Sequence, residues 1–224
     1  VYFGSNDQNL YALDGLTGKT EWVFASGYEI ESSPVIGADG TLYVIGSNMI
    51  YALDGKTAAK KWEWAINMDD WLSSSPAIGA DGTAYVGASD GKLYAIDGQT
   101  GRGMWEFVTE SRMSEGVDWG SGVESFPAIG SNGTVYFGAK DNKVYALDGQ
   151  TGVKQWDFQI SDGVGVSAAP AIGADGTIYV GGTNGEFFAL DGQTGAMKWT
   201  FNTGYMITAS ASIGVDGTVY FGSF

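Results

Sequence analysis

Residues 145–156 read YALDGQTGVKQW, and close variants of this stretch occur four more times in the chain. A block of the form Y/F-A-L/I-D-G is followed each time by a tryptophan, at Trp22, Trp62, Trp105, Trp156 and Trp199. These tryptophans are 40, 43, 51 and 43 residues apart. Five copies of a unit of roughly 42 residues therefore account for all 224 residues, and such self-similarity predicts a repeat fold.

Each unit predicts four short β-strands, which we name A to D in chain order. In residues 31–66 the segment ESSPVIG is followed by a turn at Asp39-Gly40 and then by TLYVIG, MIYALDG and KKWEWAI. Asp-Gly and Asn-Gly between such segments indicate hairpins, because the type I′ turn needs positive φ at both central residues. Four strands in about 42 residues are typical of one blade of a β-propeller.

Proline marks the A strand of four units, at Pro34, Pro76, Pro127 and Pro170, and Ala211 takes its place in the fifth. Proline has no N–H to donate to a ladder, so it belongs at the edge of a sheet. The strand of a blade that lines the central channel is such an edge. We therefore expect strand A to be innermost and the tryptophan-bearing strand D to be outermost.

The pattern A-x-D-x-x-T-G-x-x-x-W occurs in four of the five units, and in the second unit Ala58 replaces its glycine. This pattern closely resembles the tryptophan-docking motif of pyrroloquinoline-quinone (PQQ) type β-propellers. The resemblance implies an all-β fold, a β-propeller of five four-stranded blades of PQQ-like repeats in a single domain over residues 1–224, or a fragment of a larger propeller. It also implies a structural role for the five motif tryptophans, each indole lying between its own alanine and the glycine of a neighbouring motif.

The pentapeptide VYFGS stands at both residues 1–5 and residues 219–223. Counted from the first copy, the chain holds strands B, C and D, then four complete units, then strands A and B. We expect a closed five-blade ring, in which the last A strand pairs beside residues 1–4 and the second VYFGS is one strand too many. The alternative is an open arc, cut from a larger propeller, whose sheet edges can pair between chains.

Composition narrows the possible partners. The formal net charge is −15, from 26 acidic and 11 basic residues, which disfavours nucleic acid as a ligand. The chain has no cysteine and no histidine, so disulfides, thiolate metal sites and imidazole bases are excluded. No stretch approaches the roughly 18 apolar residues of a membrane span, and no membrane insertion is predicted.

The D-to-A connections and the B-to-C turns of a propeller share one face, which we call the loop face. From the motif tryptophan to the next proline, or to Ala211, the chain runs 22 residues in the third unit against 12 or 14 in the others. The extra residues lie in 108–124 and include Met113, Asp118 and Trp119. Because loops carry function more often than the scaffold does, this connection is a candidate.

Carboxylates and aromatic rings alternate on the loop face. This predicts a mouth that binds a protein, a peptide or a small cationic ligand by stacking on the rings, the alternative being an ordinary solvated acidic surface. The candidate ligand-binding residues are Tyr28, Glu29, Glu31, Asp69, Asp70, Trp71, Asp118, Trp119, Glu124 and Tyr205.

The resembled family includes quinoprotein dehydrogenases, an outer-membrane barrel-assembly lipoprotein and extracellular sensor or scaffold domains, so function has to come from the site. PQQ carries three carboxylates and needs arginine or lysine as counter-charge. The basic residues expected near the loop face are few, namely Arg112, Lys92, Lys140 and Lys143. The paired cysteines of quinoprotein alcohol dehydrogenases and a D-x-D-x-D-G calcium loop are both missing.

We therefore expect no catalytic residue, no metal site and no cofactor; PQQ and Ca²⁺ stay open as alternatives that these residues do not support. The prediction is a non-catalytic binding or scaffold module. The alternatives are a fragment of a PQQ-dependent quinoprotein dehydrogenase, an extracellular sensor domain of a membrane signalling protein, and an artificial repeat protein, since DGQTG recurs unchanged three times. The resemblance implies a periplasmic or extracellular location.

Overall fold

The computed structural model describes residues 1–67, 69–72, 74–110, 122–160 and 165–224, together with the backbone of 113–114 and 117–118. Every regular element in these residues is a β-strand. The described part of the chain has no helix long and apolar enough to cross a membrane.

Four sheets have four antiparallel strands each, a three-stranded sheet precedes them and a two-stranded sheet follows them. Sheet I consists of Tyr2–Gly4 (β1), Asn9–Leu13 (β2) and Thr20–Ala25 (β3). Sheet II consists of Val35–Ile36 (β4), Thr41–Gly46 (β5), Met49–Asp54 (β6) and Lys60–Ala65 (β7). Sheet III consists of Ala77–Ile78 (β8), Ala84–Gly87 (β9), Lys92–Ile96 (β10) and Gly103–Val108 (β11).

A short hairpin follows, made of Met113–Ser114 (β12) and Val117–Asp118 (β13). Sheet IV consists of Ala128–Ile129 (β14), Thr134–Gly138 (β15), Lys143–Asp148 (β16) and Lys154–Gln159 (β17). Sheet V consists of Ala171–Ile172 (β18), Thr177–Gly181 (β19), Glu186–Asp191 (β20) and Met197–Asn202 (β21). Sheet VI consists of Ser212–Ile213 (β22) and Val219–Tyr220 (β23).

The A strands have only two paired residues, because each ladder begins directly after the proline. Serine side chains two positions before the proline extend the contact: Ser32 Oγ accepts the amide of Ile45 at 2.9 Å. Ser74 and Ser125 accept the amides of Gly87 and Gly138 in the same way. The A strands β4, β8 and β14 contact one another in sequence, which places strand A innermost.

The A-to-B turns lie where the Asp-Gly and Asn-Gly pairs predict them, but they are not type I′ turns. Gly40 has φ 81°, whereas Asp39 does not have positive φ. The amide of Gly40 donates to the Gly37 carbonyl at 2.9 Å, and Asp39 Oδ1 accepts the amide of Thr41 at 3.0 Å. A turn followed by one left-handed glycine therefore connects these strands.

Tryptophan and tyrosine together dock each sheet onto the next. The Trp62 indole and the Tyr43 hydroxyl of sheet II both donate to the Gly98 carbonyl of sheet III, at 2.9 and 3.1 Å. A Cβ on Gly101 would lie 2.8 Å from Trp62 Cδ2, so the ring covers this glycine of the next motif. Three more docking contacts repeat this pattern, from Trp22 and Tyr2 to Gly55, from Trp105 and Tyr85 to Gly149, and from Trp156 and Tyr136 to Gly192.

The two end sheets do not join, and the expected closed five-blade ring is wrong. Strand β22 pairs with β23, and β1 pairs only with β2. Trp199 is 44% exposed and, among the described residues, has no acceptor for its indole. In the described part of the chain, nothing lies within 4 Å of the position that a Cβ would take on Gly18, the counterpart of Gly101. The all-β propeller fold is confirmed, but the chain is an open arc with four complete four-stranded blades rather than five.

Candidate functional site

The loop face carries a cavity of about 830 Å³ beside the innermost strands. The cavity is lined by the first two D-to-A connections, the B-to-C turns at Gln8 and Ser47, and the segments before the A strands. It brings together five of the predicted binding residues, Tyr28, Glu29, Glu31, Trp71 and Glu124. The shared face of the D-to-A connections and B-to-C turns is therefore as the blade topology predicts.

Three other predicted residues lie away from the cavity or only near it. Asp69 and Asp70 belong to the same connection as Trp71 but do not line the cavity. Tyr205 lies on the last connection, is 68% exposed and does not line it. The side chain of Asp118 and the whole of Trp119 lie outside the described residues, as do Glu115 and Asp162.

Phe126 is the main cavity residue that the sequence analysis did not select. It lies one position before Pro127, where the other units have serine or alanine, and it is 46% exposed at the cavity wall. A large apolar side chain at a position otherwise held by small ones was the signal available in the sequence.

Hydrogen bonds hold the backbone of Trp71 at the rim. Ser89 Oγ accepts the Trp71 amide at 3.0 Å, and the Ser89 amide donates to the Trp71 carbonyl at 2.9 Å. The next residue, Leu72, donates its amide to the Ser47 carbonyl at 2.9 Å. Both neighbouring B-to-C turns thus fix this connection, and the indole is presented from a rigid backbone.

Tyr28 is presented by a compact turn with the sequence Ser-Gly-Tyr. Ser26 Oγ donates to the Tyr28 carbonyl at 2.6 Å, and Gly27 has φ 81°. Two residues later Ile30 is buried against Gly4, where a Cβ would lie 2.1 Å from Ile30 Cγ2. Such apolar anchors were not predicted from the sequence. They recur in later connections, where Val123, Val166 and Ile207 pack against the strand-B glycines Gly87, Gly138 and Gly181.

The long third connection is anchored at both ends. At its start the Glu110 amide donates to Asp141 Oδ2 at 3.0 Å, and at its end the Lys140 amide donates to the Gly122 carbonyl at 3.0 Å. Asp141 is buried and also accepts the Tyr145 hydroxyl. Burial raises the pKa of Asp141, while the hydrogen bond from Tyr145 acts in the opposite direction.

The cavity wall is acidic. Glu124 pairs with Lys140 at 2.6 Å, whereas Glu29 and Glu31 have no ion-pair partner among the described residues. Lys92 and Lys143, expected near this face, pair with the acids Glu106, Glu110 and Asp157. Arg112, the other basic residue expected here, lies outside the described residues. In the described ranges no three carboxylates are grouped so that they could hold a metal ion.

The comparisons with known proteins agree with this architecture. The sequence model of the family described as outer membrane protein assembly factor BamB matches residues 1–139 and 64–223. Outer membrane protein assembly factor BamB of Yersinia pestis is 28% identical over 166 residues, which is 71% of this chain and 41% of that protein. Quinohemoprotein alcohol dehydrogenase ADH-IIG of Pseudomonas putida is 26% identical over 145 residues, which is 60% of this chain and 20% of that enzyme.

Among solved structures, BamB from Moraxella catarrhalis superposes with a TM-score of 0.79 at 18% identity, covering 97% of this chain and 68% of that one. This likeness concerns the fold. The chain spans less than half the length of either relative matched by sequence, at 41% and 20%.

Proposed function

This chain belongs to the family of outer membrane protein assembly factor BamB, and we propose that it is a non-catalytic binding or scaffold propeller that holds a protein or peptide in the loop-face cavity. The observation that carries the proposal is the convergence of Tyr28, Glu29, Glu31, Trp71 and Glu124 on one cavity. A periplasmic or extracellular location fits a relative named for outer membrane protein assembly.

The size and construction of the cavity support binding. Its volume of about 830 Å³ lies in the range of roughly 300–1,000 Å³ that is usual for ligand sites. Trp71 is 55% exposed, although its backbone is tied to Ser89 on both sides. A large ring held on a rigid backbone loses little conformational entropy on binding, which is why aromatic residues serve as interface anchors.

The main alternative is a quinoprotein dehydrogenase fragment, because one relative carries that name. PQQ would need cationic side chains for its three carboxylates. The described residues that line the cavity include Glu29, Glu31 and Glu124 but no lysine or arginine. The donor set therefore does not fit PQQ, and we propose that the chain acts without it.

The enzyme alternative is tested directly. The protein is incubated with PQQ and Ca²⁺, and dye-linked oxidation of alcohols and sugars is measured together with PQQ binding. We expect neither turnover nor saturable binding. Turnover that depends on both additions would overturn the non-catalytic reading.

Binding is tested on a microarray of short peptides of varied sequence. We expect the protein to bind a subset of the peptides, and the Trp71→Ala and Phe126→Ala variants to lose most of the signal. Tyr205→Ala is the matched control, because Tyr205 follows a Thr-Gly pair in a turn like that of Tyr28 but does not line the cavity. No binding to any peptide, or equal loss in all three variants, would refute the proposed site.

A second proposal concerns self-association through the open ends of the arc. Sheet V is followed by the two-stranded sheet VI, and its docking pair, Tyr179 and Trp199, has no glycine acceptor among the described residues. Sheet I carries the other half of the same docking contact, since nothing in the described part of the chain covers Gly18. We propose that the docking pair of one copy binds the uncovered motif of the next copy.

A further inference from the structure

From the charge and the aromatic walls of the loop-face cavity we infer that its occupant is an extended polypeptide segment that carries arginine. The inference rests on the proposed function and names the chemistry of its partner.

Lysines on the blades are already engaged by acids of the outer strands. Salt bridges of 2.7 to 3.1 Å join Lys60 to Glu63, Lys92 to Glu106, and Lys143 and Lys154 to Asp157. Inside the cavity the acids outnumber the bases, because none of the described lining residues is lysine or arginine. Among the described residues, Lys140 neutralises Glu124 from outside the cavity, whereas Glu29 and Glu31 have no ion-pair partner. Both of these glutamates are exposed, and a ligand with two positive charges would complement them.

Aromatic side chains decide what kind of cation fits. Tyr28, Trp71 and Phe126 are 39%, 55% and 46% exposed, and all three line the cavity. A guanidinium group stacks on aromatic faces and can form two parallel hydrogen bonds with one carboxylate, whereas an ammonium group is a strongly hydrated point charge. Because aromatic rings line this cavity together with glutamates that have no ion-pair partner among the described residues, we expect the cavity to bind arginine in preference to lysine.

The shape of the cavity favours a chain rather than a single small cation. The lining extends from Gln8, in the turn between β1 and β2, and Tyr28, in the connection after β3, to Phe126 and Ser167 before sheets IV and V. A volume of about 830 Å³ exceeds what one guanidinium group fills. Several residues of an extended segment can lie across the inner strands, with their arginines directed to Glu29 and Glu31.

The test uses an acetylated and amidated peptide with two arginines among glycine, serine and tyrosine, and a second peptide in which citrulline replaces both arginines. Citrulline keeps the shape and removes the charge. Isothermal titration at low salt should give at least a tenfold higher affinity for the arginine peptide, because citrulline cannot form the charge-assisted hydrogen bonds to Glu29 and Glu31. A lysine peptide should bind with intermediate affinity.

The variant Glu29→Gln/Glu31→Gln should abolish the preference for arginine, and Glu21→Gln should preserve it, because Glu21 is exposed on β3 outside the cavity. Equal affinity for the arginine and citrulline peptides overturns the inference but leaves the proposed function standing if both bind. A preference that survives the double variant, or free arginine competing as well as the peptide, also overturns it. If no peptide of any kind binds, the proposed function and the inference fall together.

Discussion

The docking tryptophans are equivalent in sequence but not in surroundings. Trp156 is buried and its indole donates to the Gly192 carbonyl at 3.0 Å, whereas Trp199 is 44% exposed at the end of the arc. Trp156→Ala should lower the free energy of unfolding by about 3–5 kcal/mol, the usual loss for a buried tryptophan. Trp199→Ala should cost about 1 kcal/mol or less. Urea unfolding of both variants measures the difference, and equal losses would contradict the open arc.

Ala58 occupies a position with a left-handed backbone, a conformation that favours glycine. It has φ 59°, and the corresponding residue of the other motifs is a glycine with φ between 69° and 72°. The Trp22 indole of the neighbouring sheet donates to the Gly55 carbonyl of the same motif at 3.2 Å, the longest of the four contacts of this kind. A left-handed backbone costs a residue with a Cβ about 1–2 kcal/mol. Replacing this residue with glycine removes that cost, but the greater freedom of glycine in the unfolded chain offsets part of the gain in stability.

Ala58→Gly should therefore stabilise the protein by about 0.5–1 kcal/mol, measured as a shift of the urea midpoint. Ala59→Gly is the control, because Ala59 does not have positive φ and its replacement should be destabilising. A stability loss in Ala58→Gly would show that the strain at this position has been misjudged.

At the scale of one element, the C-to-D turn is held by its aspartate. Asp97 Oδ1 accepts the hydroxyl of Thr100 at 2.8 Å and its amide at 2.7 Å, and these bonds hold the pKa of Asp97 below its usual value. Because the pKa of Asp97 is lower in the folded protein than its ordinary value of 3.8, the ionised carboxylate stabilises the fold at pH values above 3.8. This contribution is lost as the pH falls through the lower, folded-state pKa. The same holds for Asp14, Asp54, Asp148 and Asp191.

The variant Thr100→Val removes the largest contribution to the lowered pKa of Asp97. Its melting temperature should lie below that of the wild type at pH 6, and the gap should narrow as the pH falls below about 4. Thermal unfolding followed by circular dichroism from pH 6 to pH 2 provides the measurement. A gap that stays constant over this range would contradict the assigned role of the turn.

Asp141 anchors the start of the long third connection, where it accepts the amide of Glu110. The carboxylate of Asp141 accepts hydrogen bonds from the Tyr145 hydroxyl and from the amides of Glu110 and Lys143. Asp141→Asn replaces one of these acceptor oxygens with an NH₂ group, which can only donate. Hydrogen exchange at the Glu110 amide should accelerate about tenfold. Asp90→Asn is the matched control, because Asp90 also accepts a tyrosine hydroxyl, from Tyr94. Unchanged exchange in Asp141→Asn would show that the connection is anchored elsewhere.

Local signals in the sequence were sufficient for most of the blade. Strand order, the innermost proline strand and the sites of the A-to-B turns follow from hairpin and proline chemistry. The carbonyl that accepts both the Trp62 indole and the Tyr43 hydroxyl could not be predicted, since it belongs to Gly98 of the next sheet and depends on how sheets pack. Of the candidate site, Tyr28 and Trp71 line the cavity as predicted, whereas the place of Phe126 at the cavity wall depends on how the inner strands pack and was not predicted.

For the whole molecule, the closed ring expected from the sequence is wrong, because VYFGS fits either end of the chain and does not by itself distinguish a ring from an arc. In the structure the second copy keeps its own partner, with Tyr220 opposite Ser212, and the first keeps Tyr2 opposite Ala12. Pairing within each end sheet connects neighbouring residues, whereas ring closure would have to join strands that are about 200 residues apart.

The open edges should make the chain associate head to tail. Sedimentation velocity should show a mass that rises with concentration without a fixed end point, as heterologous contacts that do not close produce. Trp199→Ala should weaken the association, and Trp71→Ala, at the loop face, should leave it unchanged. A monomer at all concentrations would contradict pairing between the edges.

The claim that the loop-face cavity is the binding site is tested most directly by photo-crosslinking. An arginine-containing peptide with a benzophenone group is irradiated with the protein, and the modified residues are identified by mass spectrometry. We expect adducts at Tyr28, Trp71 and Phe126. Adducts confined to the opposite face, at the A-to-B turns 37–39 and 79–82, would contradict it.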